Sequence, residues 1–230
     1  MERVTVETVD LWKIYVVGRI EYPALKGVNL KVGQGRFVAI VGPSGSGKTT
    51  LLNLIGALDK PTKGEVFIDG EPISKLNGNQ LAELRNRKIG FVFQAFNLIP
   101  YLSALQNVEL PMIAAGVPPK RRRDKALKLL ELVGLKDKAL KKPLELSAGE
   151  QQRVAMARAL SNSPTIILAD EPTGNLDSKT GFAIVKALKE LCTSSGVTTI
   201  MVTHNMEATK LCDAVIHLKD GVIEREVVQR

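Results

Sequence analysis

Gly42, Pro43, Ser44, Gly45, Ser46, Gly47, Lys48 and Thr49 have the residue types and spacing to hold phosphate: they read G-x-x-x-x-G-K-T. Glycines let a backbone turn tightly, so that successive N–H groups point inward and meet phosphate oxygens. Lys48 has the length and charge to reach the β- and γ-phosphates of a nucleotide, and the Thr49 hydroxyl suits Mg²⁺. A helix opening at Thr50 adds the partial positive charge of its N-terminus. The alternative is a flexible glycine turn with no ligand. The flanking sequence argues against it, because a phosphate loop needs a strand before it and a helix after it.

Holding phosphate is not cleaving it; hydrolysis needs a carboxylate on the metal side and a group that orients water. Asp170 and Glu171 end the apolar run that starts at Thr165. A strand running parallel beside the phosphate-loop strand would carry Asp170 to Mg²⁺ and leave Glu171 to polarise the attacking water. The C-terminal ends of such strands are where open α/β sheets bind ligands. His204 also ends an apolar run and could hydrogen-bond the γ-phosphate or the water. His217 lies mid-strand and has no such claim. In Leu146-Ser-Ala-Gly-Glu150, Ser147 and Glu150 form an S-x-x-E capping box. That leaves Gly149, which is unfavourable in a first helical turn unless a backbone or ligand approaches closely. A helix N-terminus carrying a serine and a glycine makes a second anion site.

The elements that position these residues follow from periodicity. Phe37–Val41 is a buried strand before the loop, and residues 50–58 form a helix after it. Residues 3–9 and 24–32 alternate apolar and polar and predict an antiparallel β layer ahead of the loop. Tyr15, Trp12 or Tyr22 in that layer could stack on a base or simply pack. Further strands are expected at 64–70, 89–93, 165–169 and 198–203, with helices at 79–87, 120–133, 179–192 and 205–212. A final hairpin covers 214–228 and turns at Asp220-Gly221. Prolines at 100, 111, 118 and 119 predict loops and short helices over 95–119. Strands alternating with helices imply a mainly parallel sheet with helices on both faces.

The chain has 230 residues, 44% hydrophobic and 24% charged, which is ordinary globular material with length for a core. The net charge of +8 fits nucleic acid, an anionic ligand or an anionic membrane surface. Lys120-Arg-Arg-Arg123 opens a helix against its dipole and reads as a solvated face or a site for an anionic partner. Cys192 and Cys212 lack C-x-x-C spacing and read as reduced structural thiols of a cytosolic chain. No apolar run is long enough to span a bilayer, so any membrane role is expected to be peripheral.

Taken together, the glycine loop, Gln94, Leu146-Ser-Ala-Gly-Glu150, Asp170-Glu171, Asn175-Leu-Asp177 and His204 resemble, in order and context, the ATP-binding cassette ATPases. The resemblance covers essentially the whole chain. Gly90–Pro100, Asn107–Pro111 and Leu168–Gly181 resemble the lipoprotein-release and macrolide-export group more narrowly. It implies a P-loop NTPase (RecA-like) α/β core at 1–94 and 161–230 with an N-terminal antiparallel β layer. It also implies an inserted helical subdomain at 95–160. The implied cofactors are ATP and Mg²⁺, the latter held by Thr49, Asp170 and Gln94, partly through water. Glu171, His204 and Gln94 would serve hydrolysis. Tyr15 would stack on adenine, residues from Ser44 to Thr50 would hold phosphates and metal, and Ser147 and Gly149 would meet the ATP of a second subunit. Asp177 would cross that dimer interface. The family pattern is Leu-Ser-Gly-Gly-Gln, so Ala148 and Glu150 are departures.

The implied protein is an ATP-hydrolysing subunit that works as a homodimer with ATP and drives a separate membrane permease. It would sit peripherally on the cytoplasmic face and be soluble in isolation. Phe96, Leu98, Ile99 and Tyr101 would either line a groove for a permease helix or pack inside the helical subdomain. A nucleic-acid ATPase of similar core is the rival reading. Such proteins need long coiled coils, zinc modules or a second cassette, and none is in this sequence, so no nucleic acid is expected. A GTP switch would need an N-K-x-D base-reading motif, which is also missing.

Overall fold

The computed structural model describes residues 3–229. In chain order the strands and α-helices are β1 (Val4–Val17), β2 (Ile20–Gly33), β3 (Phe37–Val41), α1 (Lys48–Ile55), β4 (Lys63–Ile68), β5 (Glu71–Pro72), α2 (Gly78–Lys88), β6 (Ile89–Phe93), α3 (Ala104–Ala114), α4 (Pro119–Leu132), α5 (Ala148–Ala159), β7 (Ile166–Asp170), α6 (Ser178–Ser195), β8 (Thr198–Val202), α7 (Met206–Thr209), β9 (Ala214–Lys219) and β10 (Val222–Val228). Strands β2-β1-β4-β5 form an antiparallel sheet, and β10-β9-β3-β8-β7-β6 form a second sheet. In the second sheet every pair is parallel except β9 with β10.

Period-2 alternation divides the strands of the parallel sheet between two cores. Val38, Ile40, Ile166 and Leu168 face α1 and the antiparallel sheet. Phe37, Ala39, Val41, Ile167 and Ala169 face α6, where Ile184, Val185, Leu188 and Cys192 cover them. Both faces are buried, so these strands read as unbroken apolar runs. A third cluster joins α3, α4 and α5 through Leu105, Val108, Met112, Leu130, Val154 and Ala157. Helix α5 belongs to two cores, because its Met156 and Ala159 pack with the α6 cluster.

Several elements depart from the sequence reading. β1 and β2 are far longer than 3–9 and 24–32; they continue past register shifts into one hairpin that pairs Tyr15 with Tyr22 and Val17 with Ile20. The helix expected over 50–58 ends at Ile55, and Ala57 takes a left-handed φ of 52°. α3 is an 11-residue helix despite Pro111 in its last turn. Its buried Asn107 accepts from Ile99 N–H and donates to the Ile99, Leu102 and Ser103 carbonyls, which organises the loop before the helix. Most consequential, β7 is not the neighbour of β3; β8 lies between them. Asp170 still reaches the loop because α1 crosses that face of the sheet, and Gly56 at its end lies against Leu168 of β7.

Candidate active site

The phosphate loop joins β3 to α1 and forms one wall of a cleft of about 440 Å³, lined by Gly42, residues 44–50, Ala24, Glu171 and His204. The backbone N–H groups of Gly45, Gly47, Lys48 and Thr49 find no acceptor among the described residues. A row of free N–H donors at a helix N-terminus is an anion cradle. The Lys48 ammonium folds back onto the carbonyls of Gly42 and Pro43, at 2.9 and 2.8 Å. These unspent donors and the ammonium fit a nucleotide polyphosphate.

At the end of the loop, Thr49 Oγ1 donates to Asp170 Oδ1 at 3.2 Å, so the two residues expected at the metal are in contact. Burial pushes the Asp170 carboxyl above its usual range, with Glu171 adding to the effect, while Thr49 and Lys48 oppose it. A folded-state pKa above the unfolded one means that the protonated carboxyl stabilises the fold. That contribution is lost as pH rises through the folded-state value. At neutral pH the ionised carboxylate is therefore a liability for stability. Asp170→Asn is expected to raise the melting temperature of the nucleotide-free protein at neutral pH, by roughly 2–4 °C per kcal/mol relieved. The gain should vanish in acid, where aspartate is protonated anyway. The same variant should lose Mg²⁺-dependent ATP hydrolysis. Thermal melts at the two pH values and a phosphate-release assay check both halves.

Glu171 follows with a left-handed φ of 45°, a backbone cost for a non-glycine residue at a functional position. Its N–H donates to Val202 O of β8 at 2.9 Å, and its Oε2 lies 2.9 Å from His204 Nδ1 and accepts from His204 N–H at 3.3 Å. The glutamate side chain is mostly covered while the imidazole is 73% exposed. The structure thus joins Glu171 and His204 in one pair at the cleft.

Other expected site residues lie outside this cleft. The amide of Gln94 donates to Asn175 Oδ1 at 3.3 Å, and Asn175 Nδ2 donates back to Gln94 O at 3.0 Å. Tyr15, 40% exposed, donates to Asp59 Oδ2 at 3.0 Å and also has the Thr50 side chain near its hydroxyl. Trp12 is instead tied to Asp10. Ser147 and Glu150 form the expected capping box at the start of α5. The close approach that Gly149 suggested comes from within the chain: a Cβ there would sit 2.9 Å from the Thr180 methyl. Asp177 caps α6 by accepting from Thr180 N–H. Gln152 was missed from sequence; fully buried, it donates to Pro172 O at 2.6 Å and Phe93 O at 3.3 Å. It ties α5 to the segment after Glu171 and to the end of β6. Flanked by Gln151 and Arg153, it carried no sequence signal of burial.

A glycine loop on a parallel sheet, facing a paired Asp-Glu and a histidine, defines a nucleotide-hydrolysing P-loop protein with an added antiparallel sheet. The family model described as ABC transporter matches residues 25–174. An ABC transporter ATP-binding protein of Thermotoga maritima is 55% identical, covering 95% of this chain and 93% of that one. The macrolide export ATP-binding/permease protein MacB of Syntrophobacter fumaroxidans is 48% identical over 96% of this chain, but this chain spans only 31% of that protein. Among solved structures, the dimeric ATP-binding cassette MJ0796 bound to ADP and Pi superimposes with a TM-score of 0.89 at 49% identity, covering 98% of this chain and 99% of that one. The chain belongs to the ATP-binding family of ABC transporters, and its activity is Mg²⁺-dependent ATP hydrolysis coupled to transport. No helix among the described residues is long and apolar enough to cross a membrane.

Proposed function

We propose that Asp170 and Glu171 divide the hydrolytic work, Asp170 with Thr49 holding the metal and Glu171 orienting the attacking water. One observation carries the assignment: the Thr49–Asp170 and Glu171–His204 contacts meet at the cleft that holds the free N–H donors. Mg²⁺ bound there would neutralise charge on the phosphates. Glu171 accepts from His204 and so keeps its carboxylate aimed along the cleft wall. His204 stays exposed and free to meet the γ-phosphate. Tyr15 offers an exposed ring beside Thr50 for the adenine. Gln94, tied to Asn175, would have to leave that partner to reach metal or water. Release of phosphate from ATP by the purified chain tests the reading: Mg²⁺ should be required, chelation should stop it, and DNA should not stimulate it.

The chain would work as a homodimer that encloses ATP between the loop of one subunit and Ser147 and Gly149 of the other. The dimeric state of the MJ0796 cassette supports this. Residues 95–160 would be the helical subdomain that carries this second half-site. A separate permease would anchor the dimer to the cytoplasmic face of the membrane. The best seat for a permease segment is a cavity of about 530 Å³ between β6, α2, α3 and α5, with Leu58, Phe91 and Phe93 in its walls. Of the four apolar residues expected there, none lines it: Leu98 packs into the helical cluster, and Tyr101 is 84% exposed. Leu58→Glu is expected to prevent co-purification with the permease while leaving the ATPase activity of the isolated chain intact. Retained co-purification would remove this cavity from the interface.

A further inference from the structure

We propose that Gly221, in the turn between β9 and β10, is a positioning residue for the phosphate loop, setting the direction of the Gly47 N–H. Its own N–H donates to Ser46 O at 3.1 Å, and its carbonyl accepts from Lys26 N–H at 2.9 Å. The turn therefore ties the phosphate loop to β2. A trans peptide points its C=O and N–H to opposite sides. Fixing Ser46 O toward Gly221 thus turns the Gly47 N–H away from it. That N–H has no acceptor among the described residues, and Gly47 lines the cleft. If the 46–47 peptide were released, it could flip and present a carbonyl where the cradle needs a donor.

The residue type is dictated by space as well as by conformation. Gly221 is buried, has a φ of +82°, and a Cβ on it would lie 2.8 Å from Ala24 O and 3.2 Å from Leu25 Cα. The same Ala24 carbonyl closes on Gly47, where a Cβ would come within 2.5 Å. The two glycines interlock with one carbonyl. A second Asp-Gly turn provides a matched comparison: Gly70 also has a φ of +82°, but is exposed and has nothing within 4 Å of its Cβ position. Alanine at either site meets the same backbone strain; only at Gly221 does it also push on the Ala24 carbonyl, the one that closes on Gly47.

The inference rests on residues 42–49 being the phosphate site, and the test separates the two. ADP affinity is measured by calorimetry, with melting temperature, for Gly221→Ala, Gly70→Ala and Lys48→Ala. ADP engages the cradle without hydrolysis. Gly221→Ala should weaken ADP binding by roughly tenfold to a hundredfold, the range for hydrogen bonds to a charged group. Gly70→Ala should lower the melting temperature and leave ADP affinity unchanged. If Gly221→Ala binds ADP as tightly as the wild type while Lys48→Ala binds weakly, the positioning role is wrong and the phosphate site stands. If Lys48→Ala also binds normally, the phosphate site itself fails. Should Gly221→Ala not fold, the wild type still decides by hydrogen exchange. The Gly221 amide should be protected and gain protection with ADP; exchange at the unprotected rate in both states would overturn the proposal.

Discussion

Glu171→Gln is expected to slow ATP hydrolysis by roughly 10²–10⁴, the usual contribution of a positioned acid–base group. The substitution keeps the shape and can still accept from His204 N–H, but loses the negative charge and basicity that face His204 Nδ1 at 2.9 Å. ATP binding should survive, because Lys48, Thr49 and the free N–H donors of the loop are untouched. The affected parameter is therefore kcat, with ATP affinity near that of the wild type. Single-turnover phosphate release beside equilibrium binding separates the two. Hydrolysis at the normal rate would show that Glu171 does not serve the water.

Lys48→Ala should act on the other parameter first. It removes the one loop cation poised at the phosphates, and charge-assisted hydrogen bonds are the strong ones. A loss of roughly tenfold to a hundredfold in ATP affinity is expected, with hydrolysis abolished. The side chain also bridges the Gly42 and Pro43 carbonyls, so the variant loosens the empty loop as well. Lys48→Arg should not restore activity, since a planar fork cannot replace a compact ammonium inside a tight turn. Wild-type turnover in either variant, measured by phosphate release, would contradict the loop assignment.

Much of this site was legible because it lies on short apolar strands with strong punctuation. Phe37–Val41 and Ile166–Ala169 are buried throughout, so each reads as an unbroken apolar run. Asp170 and Glu171 stood out as the first acids after such a run. Strand order was another matter, because periodicity carries no information about which strand pairs with which. β8 therefore came between β3 and β7 unannounced. The length of helix α3 hid behind Pro111, which removes an N–H and so argues against a helix interior from sequence alone. The Glu171–His204 and Gln94–Asn175 pairs join residues far apart in sequence and needed the fold to be seen. Gly149 was a fair signal of close approach, but a neighbouring helix explains it within one chain.

The central claim, that ATP is enclosed and cleaved between two copies of this chain, is tested most directly on Glu171→Gln. ATP that is bound but not cleaved should hold two subunits together, since only the dimer offers both half-sites and binding favours the state that binds. Size-exclusion chromatography with light scattering reads the molar mass. The account predicts the 25.0 kDa of one chain without nucleotide or with ADP, and twice that with ATP. A variant that remains a single chain at saturating ATP, with binding confirmed, would contradict it.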